Sequence, residues 1–185
     1  DTARGYQNGN NERMVGAALK SKRKSLVIST KNHSGAKADA VNNLNTSLTQ
    51  LGTDYVDIWH LHGRDRPEQV PDEAIEGLLA CKKAGKTRFI GFSCHDPNNM
   101  ADFLIKTGKF DVMQTTYSYP IGGIYRDKAI KKLHDAGIGV YGSFVFGYDY
   151  DDPAVFDEFL EFAERNRIEG AFLPLLTPFP GTRIY

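Results

Sequence analysis

The sequence has few cysteines, no surplus of either charge sign and no long apolar run, and each absence excludes a class of protein. Its two cysteines, Cys81 and Cys94, are too few for a disulfide framework and predict a reducing, cytoplasmic setting. Lysines and arginines number 23, as do aspartates and glutamates, so we expect neither nucleic acid nor an anionic membrane as a partner. No apolar stretch approaches the length that spans a membrane. The composition is otherwise that of an ordinary globular domain.

What the sequence does contain is an alternation of short apolar runs and helical patterns. The runs are rich in Val, Ile, Phe and Tyr and are bounded by Gly, Asp or Pro, which is typical of β-strands. We predict strands at 25–30, 55–62, 88–93, 111–118, 139–147 and 170–177. Apolar spacing and helix-boundary residues predict the helices between them, which end at Gly52 and Gly85, start at Pro97, and cover 126–136 and 153–167.

Repeated strand–helix units without a hairpin leave two α/β architectures, an open doubly wound sheet or a closed (β/α)8 barrel of the TIM type. An open sheet usually carries a glycine-rich turn after its first strand, and no G-x-G-x-x-G pattern follows any predicted strand. Polar residues instead follow one strand after another. Because strand ends converge on one mouth in a barrel, we predict a single TIM-barrel-like domain over residues 1–185.

This predicted barrel is incomplete. Counting Asp1 as the tail of a strand yields about seven strand–helix units where a closed barrel has eight. The first strand–helix unit is therefore expected to be missing. Such a sheet leaves an exposed edge, through which an oligomer is able to form.

Four titratable residues lie at or just after strand ends, namely Asp1, Tyr6, Lys31 and His62. Each residue type on its own is more often a surface or structural group, but together they suit the protonation of a carbonyl oxygen. An ammonium beside a phenol lowers the pKa of the phenol, and a carboxylate keeps that ammonium charged. We therefore expect Tyr6, Lys31 and His62 at one end of a parallel strand set, with Asp1 near Lys31. His60 is expected to pack against the helix layer.

Several motifs between residue 1 and about residue 141 resemble the aldo-keto reductases, namely DTARGYQNGNNE, STK, LGTDYVDIWHLHG, GKTRFIGFS and DVMQTTYS. The resemblance implies reduction of an aldehyde or ketone to an alcohol by hydride transfer from NADPH. By the same resemblance Tyr6 is the general acid, Lys31 and Asp1 tune it, and His62 orients the carbonyl of a small-molecule substrate.

The resemblance also assigns a nicotinamide site. It implies that Ser93 and Gln114 hold the carboxamide group of the cofactor, with Cys94 standing where the family often has Asn. Ser143 and the loop that contains it, residues 142–147, supply further donors on the cofactor side.

Residues 142–185 depart from the aldo-keto reductase pattern and resemble the later strands of cobalamin-binding radical SAM enzymes, in GSFVFGYDYDD, EFA and LTPFPGTRIY. Radical chemistry of that kind needs three cysteines to hold an iron–sulfur cluster. Two cysteines are too few, so we expect no iron–sulfur cluster and no other metal site. The segment is expected to complete the barrel only.

Two functional hypotheses stay open. The chain is either a reductase that uses NADPH, or a catalytically impaired barrel fragment or chimera that keeps the four catalytic residues but not the cofactor site. Asp149, Asp151 and Asp152 lie where the cofactor diphosphate is expected, and carboxylates repel phosphates, so NADPH binding is expected to be weak unless these groups are paired. Asp151 or Asp152 is also expected to cap the helix that starts at Pro153. A radical SAM-related protein is the weaker, third alternative.

Overall fold

The computed structural model describes residues 1–116 and 123–177, with the backbone alone described for 123–126. In these ranges six parallel strands form one sheet, and each strand pairs with the next along the chain. The strands are β1 (Ser29–Asn32), β2 (Val56–Leu61), β3 (Thr87–Cys94), β4 (Val112–Thr116), β5 (Gly139–Ser143) and β6 (Gly170–Phe172). All of them overlap the predicted strands, although residues 117–118 of the predicted fourth strand lie outside the described residues.

Helices cover the outer face of the sheet and follow the strands in alternation. They are α1 (Asn10–Leu19), α2 (Lys37–Leu51), α3 (Asp72–Lys83), α4 (Pro97–Thr107), α5 (Gly123–Asp135) and α6 (Val155–Arg165). The sequence pattern does not predict α1, because the residues that α1 buries are Glu12 and Gly16 and not an apolar stripe. Gly16 packs so closely that a side chain there would overlap the Leu51 carbonyl of α2.

The two faces of the sheet have different surroundings, since alternate residues of a strand point to opposite sides. Residues of one set pack under the helices and form the hydrophobic core, in which Trp59, Leu61, Ile90, Phe92, Met113 and Val140 are buried. The other set lines the inner side of the sheet. There the strand register aligns Lys31 with His60 and Ser93 with Gln114.

The sheet curls into a partial barrel. Gln114 on β4 donates its side-chain N–H to the Asp1 carboxylate over 3.4 Å, although β1, β2 and β3 separate the two residues along the sheet. Residues 1–4 form no strand, but two of their backbone N–H groups, those of Thr2 and Arg4, donate to the β1 carbonyls of Ser29 and Lys31. The described residues therefore contain six strands, and the expected count of about seven units is not confirmed.

The expected placement of His60 is wrong. His60 is aligned with Lys31 and lines a cavity inside the curled sheet together with Ser29, Ile58 and Tyr141. Residues two apart in a strand share a face, so His60 lies on the same inner face as His62. Its ring lies against Gly91, where any side chain would overlap it.

Helix ends follow ordinary capping chemistry. Helix α2 ends at Gly52, which has a φ of 63°, a left-handed conformation that glycine adopts without a steric penalty. Helix α4 begins after Asp96, whose side chain accepts a hydrogen bond from the Asn98 N–H, and Pro97 occupies the first turn where its missing N–H costs nothing. Capping residues of this kind determine where α2 ends and where α4 begins.

Candidate active site

One cavity at the carboxyl ends of the strands brings together the residues predicted as catalytic or cofactor-binding. It measures about 200 Å³. Its lining includes every predicted site residue, that is Asp1, Tyr6, Lys31, His62, Ser93, Gln114 and Ser143. Cys94, His95, Thr115, Thr116 and Phe172 also border it. The predicted residues therefore lie in one place, although they come from well-separated parts of the chain.

Lys31 and Asp1 form a buried ion pair at the base of this cavity. The Lys31 Nζ lies 2.5 Å from the Asp1 Oδ2 and donates a second hydrogen bond to the Thr2 carbonyl over 2.8 Å. The Ser29 hydroxyl donates to the other oxygen of the Asp1 carboxylate. Lys31 is only 2% exposed, so these contacts hold its ammonium in a single position. The prediction that Asp1 lies near Lys31 agrees with this geometry.

Tyr6 and His62 lie next to this ion pair in the cavity. Their rings meet edge to face with 5.8 Å between centroids, and the Lys31 Nζ lies 5.5 Å from the centre of the Tyr6 ring. Tyr6 is 42% exposed, whereas His62 is half-buried. Within the described residues no hydrogen bond joins the Tyr6 hydroxyl to Lys31, so the ammonium acts on the phenol through space.

Burial dominates the titration of these groups. It lowers the pKa of Lys31 to about 7, in spite of the Asp1 carboxylate beside it. It also lowers the pKa of His62 to about 4, with further contributions from His33 and Lys31, so His62 is neutral at neutral pH. Burial raises the pKa of Tyr6. The pKa of Tyr6 therefore shifts in the direction opposite to the expected one, because desolvation disfavours the phenolate.

The residues predicted to hold the nicotinamide line the same cavity. The Ser93 hydroxyl oxygen accepts a hydrogen bond from the Gly63 N–H over 2.8 Å. Gln114 uses its N–H on Asp1, but its carbonyl oxygen is buried with no hydrogen-bond partner among the described residues. An unpaired buried acceptor costs free energy, so a donor from a bound molecule would be stabilising there.

Sequence reasoning missed three residues around His62. The His33 ring stacks on the His62 ring with 4.0 Å between centroids and 29° between planes. Arg64 donates to the His62 carbonyl over 3.0 Å and also to the His33 carbonyl, which ties together the loops after β1 and β2. His95 pairs with Asp65 over 3.0 Å. The only available signal was their position just past predicted strand ends.

The acidic loop before α6 is more fully paired than its sequence suggests. Asp151 accepts hydrogen bonds from the N–H groups of Gly147 and Tyr148 over 2.7 and 2.9 Å. Asp152 accepts one from the Ala154 N–H over 2.7 Å, at the turn that leads into α6. The carboxylates of Asp151 and Asp152 therefore interact with backbone donors, which reduces their repulsion of a nearby phosphate. Among the described residues the Asp149 carboxylate has no hydrogen-bond donor, so its repulsion of a phosphate is not reduced in this way. Helix α6 starts at Val155 and not at Pro153.

Among residues 1–116 and 123–177, no group of three or more His, Cys, Asp or Glu side chains is arranged to hold a metal ion. In the same residues no helix is both long enough and apolar enough to cross a membrane.

The sequence of residues 1–148 matches the family model described as the aldo/keto reductase family. The chain belongs to this family. The match continues past the expected end of the resemblance near residue 141. The similarity of residues 142–185 to radical SAM enzymes stays a prediction, as does the division of the domain near residue 141.

Curated relatives of this family member include two bacterial proteins. The chain is 31% identical over 125 residues to the uncharacterized oxidoreductase YqkF of Bacillus subtilis, a match covering 61% of this chain and 40% of that protein. It is 33% identical over 141 residues to the NADH-specific methylglyoxal reductase of Escherichia coli, covering 64% of this chain and 43% of that protein. The chain thus spans less than half the length of these relatives.

Solved structures share the fold. An aldo/keto reductase from Klebsiella pneumoniae, in complex with NADP and acetate, superposes with a TM-score of 0.68 over 97% of this chain and 69% of that one. Sequence identity across the match is 22%, so the likeness concerns the fold of this family member and not its substrate.

Proposed function

We propose that this chain carries the catalytic centre of a reductase that converts an aldehyde or ketone to an alcohol with NADPH. The observation that carries the proposal is the meeting of a phenol, a neutral imidazole and a buried ammonium–carboxylate pair in one cavity. These groups are Tyr6, His62, and Lys31 with Asp1. Membership in the aldo/keto reductase family makes it an oxidoreductase, and the proposal adds a carbonyl substrate and NADPH as the cofactor.

Each of these residues has a role that follows from its surroundings. The Tyr6 phenol is protonated at neutral pH, since an ordinary phenol has a pKa near 10 and burial raises the pKa of Tyr6 further. It donates that proton to the carbonyl oxygen as negative charge develops there. His62, which is neutral, hydrogen-bonds the same oxygen and orients it. The Lys31 ammonium stabilises the phenolate that Tyr6 becomes, and Asp1 holds the ammonium in place.

The cofactor side of the cavity fits a nicotinamide amide group. The unpaired carbonyl oxygen of Gln114 needs an N–H donor, which a carboxamide offers, and the Ser93 hydroxyl is able to donate its proton to a carboxamide oxygen. Ser143 borders the same side of the cavity. A reduced nicotinamide bound there supplies the hydride. The K. pneumoniae structure contains NADP and the E. coli relative is described as NADH-specific, so the nucleotide is itself to be tested.

The alternative of an impaired fragment or chimera is not favoured. The match to the reductase family extends over residues 1–148 and includes the whole proposed catalytic set. Asp151 and Asp152, two of the three carboxylates that motivated the alternative, are hydrogen-bonded to backbone N–H groups. A cytoplasmic location and an oligomer formed through a sheet edge remain predictions.

Cofactor binding provides the direct test. In a fluorescence titration we expect NADPH to bind, and we expect Gln114→Leu to weaken binding roughly 5- to 10-fold, the value of one neutral hydrogen bond. Asn42→Leu, which changes an exposed amide on α2, serves as the control and is expected to have no effect. If the unchanged chain binds neither NADPH nor NADH, the proposed function is wrong.

The pH dependence of turnover gives a second prediction. Because the pKa of Lys31 is about 7, the rate of carbonyl reduction is expected to fall as pH rises through that value and the ammonium is lost. His62, with a pKa of about 4, does not titrate in this range. Lys31→Arg is expected to be slower but free of this fall, since a guanidinium keeps its proton. A fall at the same pH in the Arg variant would assign the titration to another group.

A further inference from the structure

A second depression lies beside the candidate active site and has no role in the mechanism above. It measures about 530 Å³ and is lined by polar side chains, among them those of Arg4, Asn8, His33 and Asn43. We call it the Arg4 basin. Most of its residues lie at or just after the carboxyl end of β1 or in the segment that carries Tyr6, and Asn43 lies on α2. The basin therefore opens at the same mouth of the partial barrel as the active site.

Arg4 is the unusual residue of this basin. Its guanidinium makes no hydrogen bond or ion pair with any residue in the described ranges, and its Nε is buried without a partner. A guanidinium carries N–H donors in a planar fork that matches carboxylate and phosphate groups. Leaving a buried donor unpaired is costly, so an anion that entered the basin would satisfy a group that the fold itself leaves unsatisfied.

The neighbours of Arg4 are also donors. Asn8 exposes its side-chain amide. Asn43 donates one side-chain N–H to the side-chain amide oxygen of Asn32 over 2.8 Å, and its second N–H has no acceptor among the described residues. His33 offers a ring N–H, and its pKa is lowered by burial and by Arg64. No carboxylate lines the basin in the part of the chain described, and at its rim Asp39 accepts a hydrogen bond from the Ser34 hydroxyl over 2.7 Å. The donors and the single cation suit an anionic ligand.

The basin is joined to the catalytic residues by two contacts. The Tyr6 N–H donates to the Ala3 carbonyl over 3.0 Å, which closes a turn and places Arg4 two residues before the proposed proton donor. His33 lines the basin and stacks on His62, which lines the active site, with 4.0 Å between ring centroids. A single substrate molecule is therefore able to contact both the basin and the active site if a spacer between its anionic group and its carbonyl group extends past these two rings.

We propose that the Arg4 basin is an anion-binding subsite that selects carbonyl substrates carrying a carboxylate or phosphate group on a spacer. The inference rests on the proposed function, since it names the substrate class of that same site. The stacked rings of His33, which lines the basin, and His62, which lines the active site, separate the two cavities. The anionic group therefore belongs several bonds from the carbonyl carbon and not on the adjacent atom.

Two aldehydes of similar shape test the proposal by turnover, 4-carboxybenzaldehyde and the uncharged 4-methylbenzaldehyde. We expect the unchanged chain to prefer the first, and Arg4→Gln to reduce the ratio of the two kcat/KM values by about 10- to 100-fold, the value of a charged hydrogen bond. Arg13→Gln, which removes one exposed positive charge from α1, is expected to leave the ratio unchanged. A ratio that is insensitive to Arg4, or equally sensitive to Arg13, overturns the proposal.

A binding measurement separates this proposal from the proposed function. Terephthalate, which cannot be reduced, is titrated calorimetrically into the unchanged chain and into the Arg4→Gln and Arg13→Gln variants. Weaker binding in the Arg4 variant alone supports the subsite even if no aldehyde is turned over, in which case only the proposed function fails. Equal binding by all three overturns the subsite. If Arg4→Gln instead weakens NADPH binding and leaves the aldehyde ratio unchanged, the basin holds a cofactor phosphate and the proposal is wrong.

Discussion

Tyr6→Phe is expected to lower the rate of carbonyl reduction by about 10²–10⁴-fold, the usual contribution of general acid catalysis. Phe keeps the ring that packs edge to face against His62 and lies near the Lys31 ammonium. It removes only the hydroxyl, the proton donor in the proposed mechanism. Cofactor affinity and the thermal midpoint are therefore expected to stay close to those of the unchanged chain, while kcat falls. Steady-state kinetics at saturating NADPH, with one aldehyde substrate, measure the effect.

Another aromatic residue provides the control for this experiment. Tyr148→Phe removes a hydroxyl from a ring that stacks on Tyr150, with 5.3 Å between centroids, and Tyr148 does not line the catalytic cavity. It is expected to leave kcat unchanged. If Tyr6→Phe keeps full activity, the proton comes from a different group and the assignment of Tyr6 as the general acid has to be abandoned.

Asp57→Ala is expected to reduce the free energy of unfolding by about 3 kcal/mol, at the low end for breaking a buried ion pair. The Asp57 side chain is 2% exposed and lies 2.9 Å from both Arg23 and Arg88. It also accepts a hydrogen bond from the Ile28 N–H over 2.8 Å. Removing it leaves Arg23 with fewer partners and the Ile28 N–H unpaired. The lower value is expected because Arg88 is largely exposed and regains water.

Asp135→Ala is the matched control for Asp57, because Asp135 pairs with Lys131 on the surface of α5 at 2.7 Å with both side chains largely exposed. Its expected effect is within about 1 kcal/mol. Urea denaturation of the unchanged chain, Asp57→Ala and Asp135→Ala measures the difference in the free energy of unfolding, provided that the dependence of this free energy on urea concentration is the same for all three. Similar losses of unfolding free energy in both variants would show that Asp57 and its partners Arg23 and Arg88 do not stabilise the fold more than a surface ion pair does.

The stability contributed by Asp57 also depends on pH. Burial raises the pKa of this carboxyl, but the Ile28 N–H, Arg88 and Arg23 together lower it below the ordinary aspartate value. A carboxyl whose pKa is lower in the folded state stabilises the fold fully above the unfolded-state pKa, and the contribution is lost as pH falls through the folded-state pKa. The difference between the unchanged chain and Asp57→Ala is therefore expected to shrink only in strongly acidic solution.

The elements of this fold were predictable where local pattern and burial agree. Strand β2 is confirmed within one residue at each end, as Val56–Leu61 against the predicted 55–62, because its apolar run is bounded by polar residues. Strand β1 begins at Ser29 and not at residue 25, since an apolar run marks hydrophobicity and not the first ladder hydrogen bond. Helix α1 was missed because its buried side is Glu12 and Gly16, which no apolar period detects.

The candidate site was predictable to the extent that it depends on strand ends. The carboxyl ends of parallel strands meet at one mouth, so the clustering of Lys31 and His62 followed from their positions in the chain. Asp1 and Tyr6 belong to a segment that forms no strand, which hydrogen bonds from the Thr2 and Arg4 N–H groups hold against β1. The predicted placement of His60 is wrong because residues two apart in an extended chain, such as His60 and His62, point to the same face. The predicted direction of the Tyr6 pKa shift is wrong for another reason. The shift depends on how far the folded chain excludes water from the phenol, and the sequence does not show this.

The sequence by itself determined the parallel strand–helix order and the family, because both depend on contiguous residues and on the spacing between them. Only the tertiary structure decided which distant groups meet and which stay unpaired. Gln114 reaches Asp1 over 3.4 Å across 113 residues of chain because the sheet curls. Among the described residues the fold brings no acceptor to the buried Nε of Arg4. Burial also lowers the pKa of Lys31 to about 7. Through-space distance and the removal of water are properties of the whole packed chain, and no local pattern of residues encodes them.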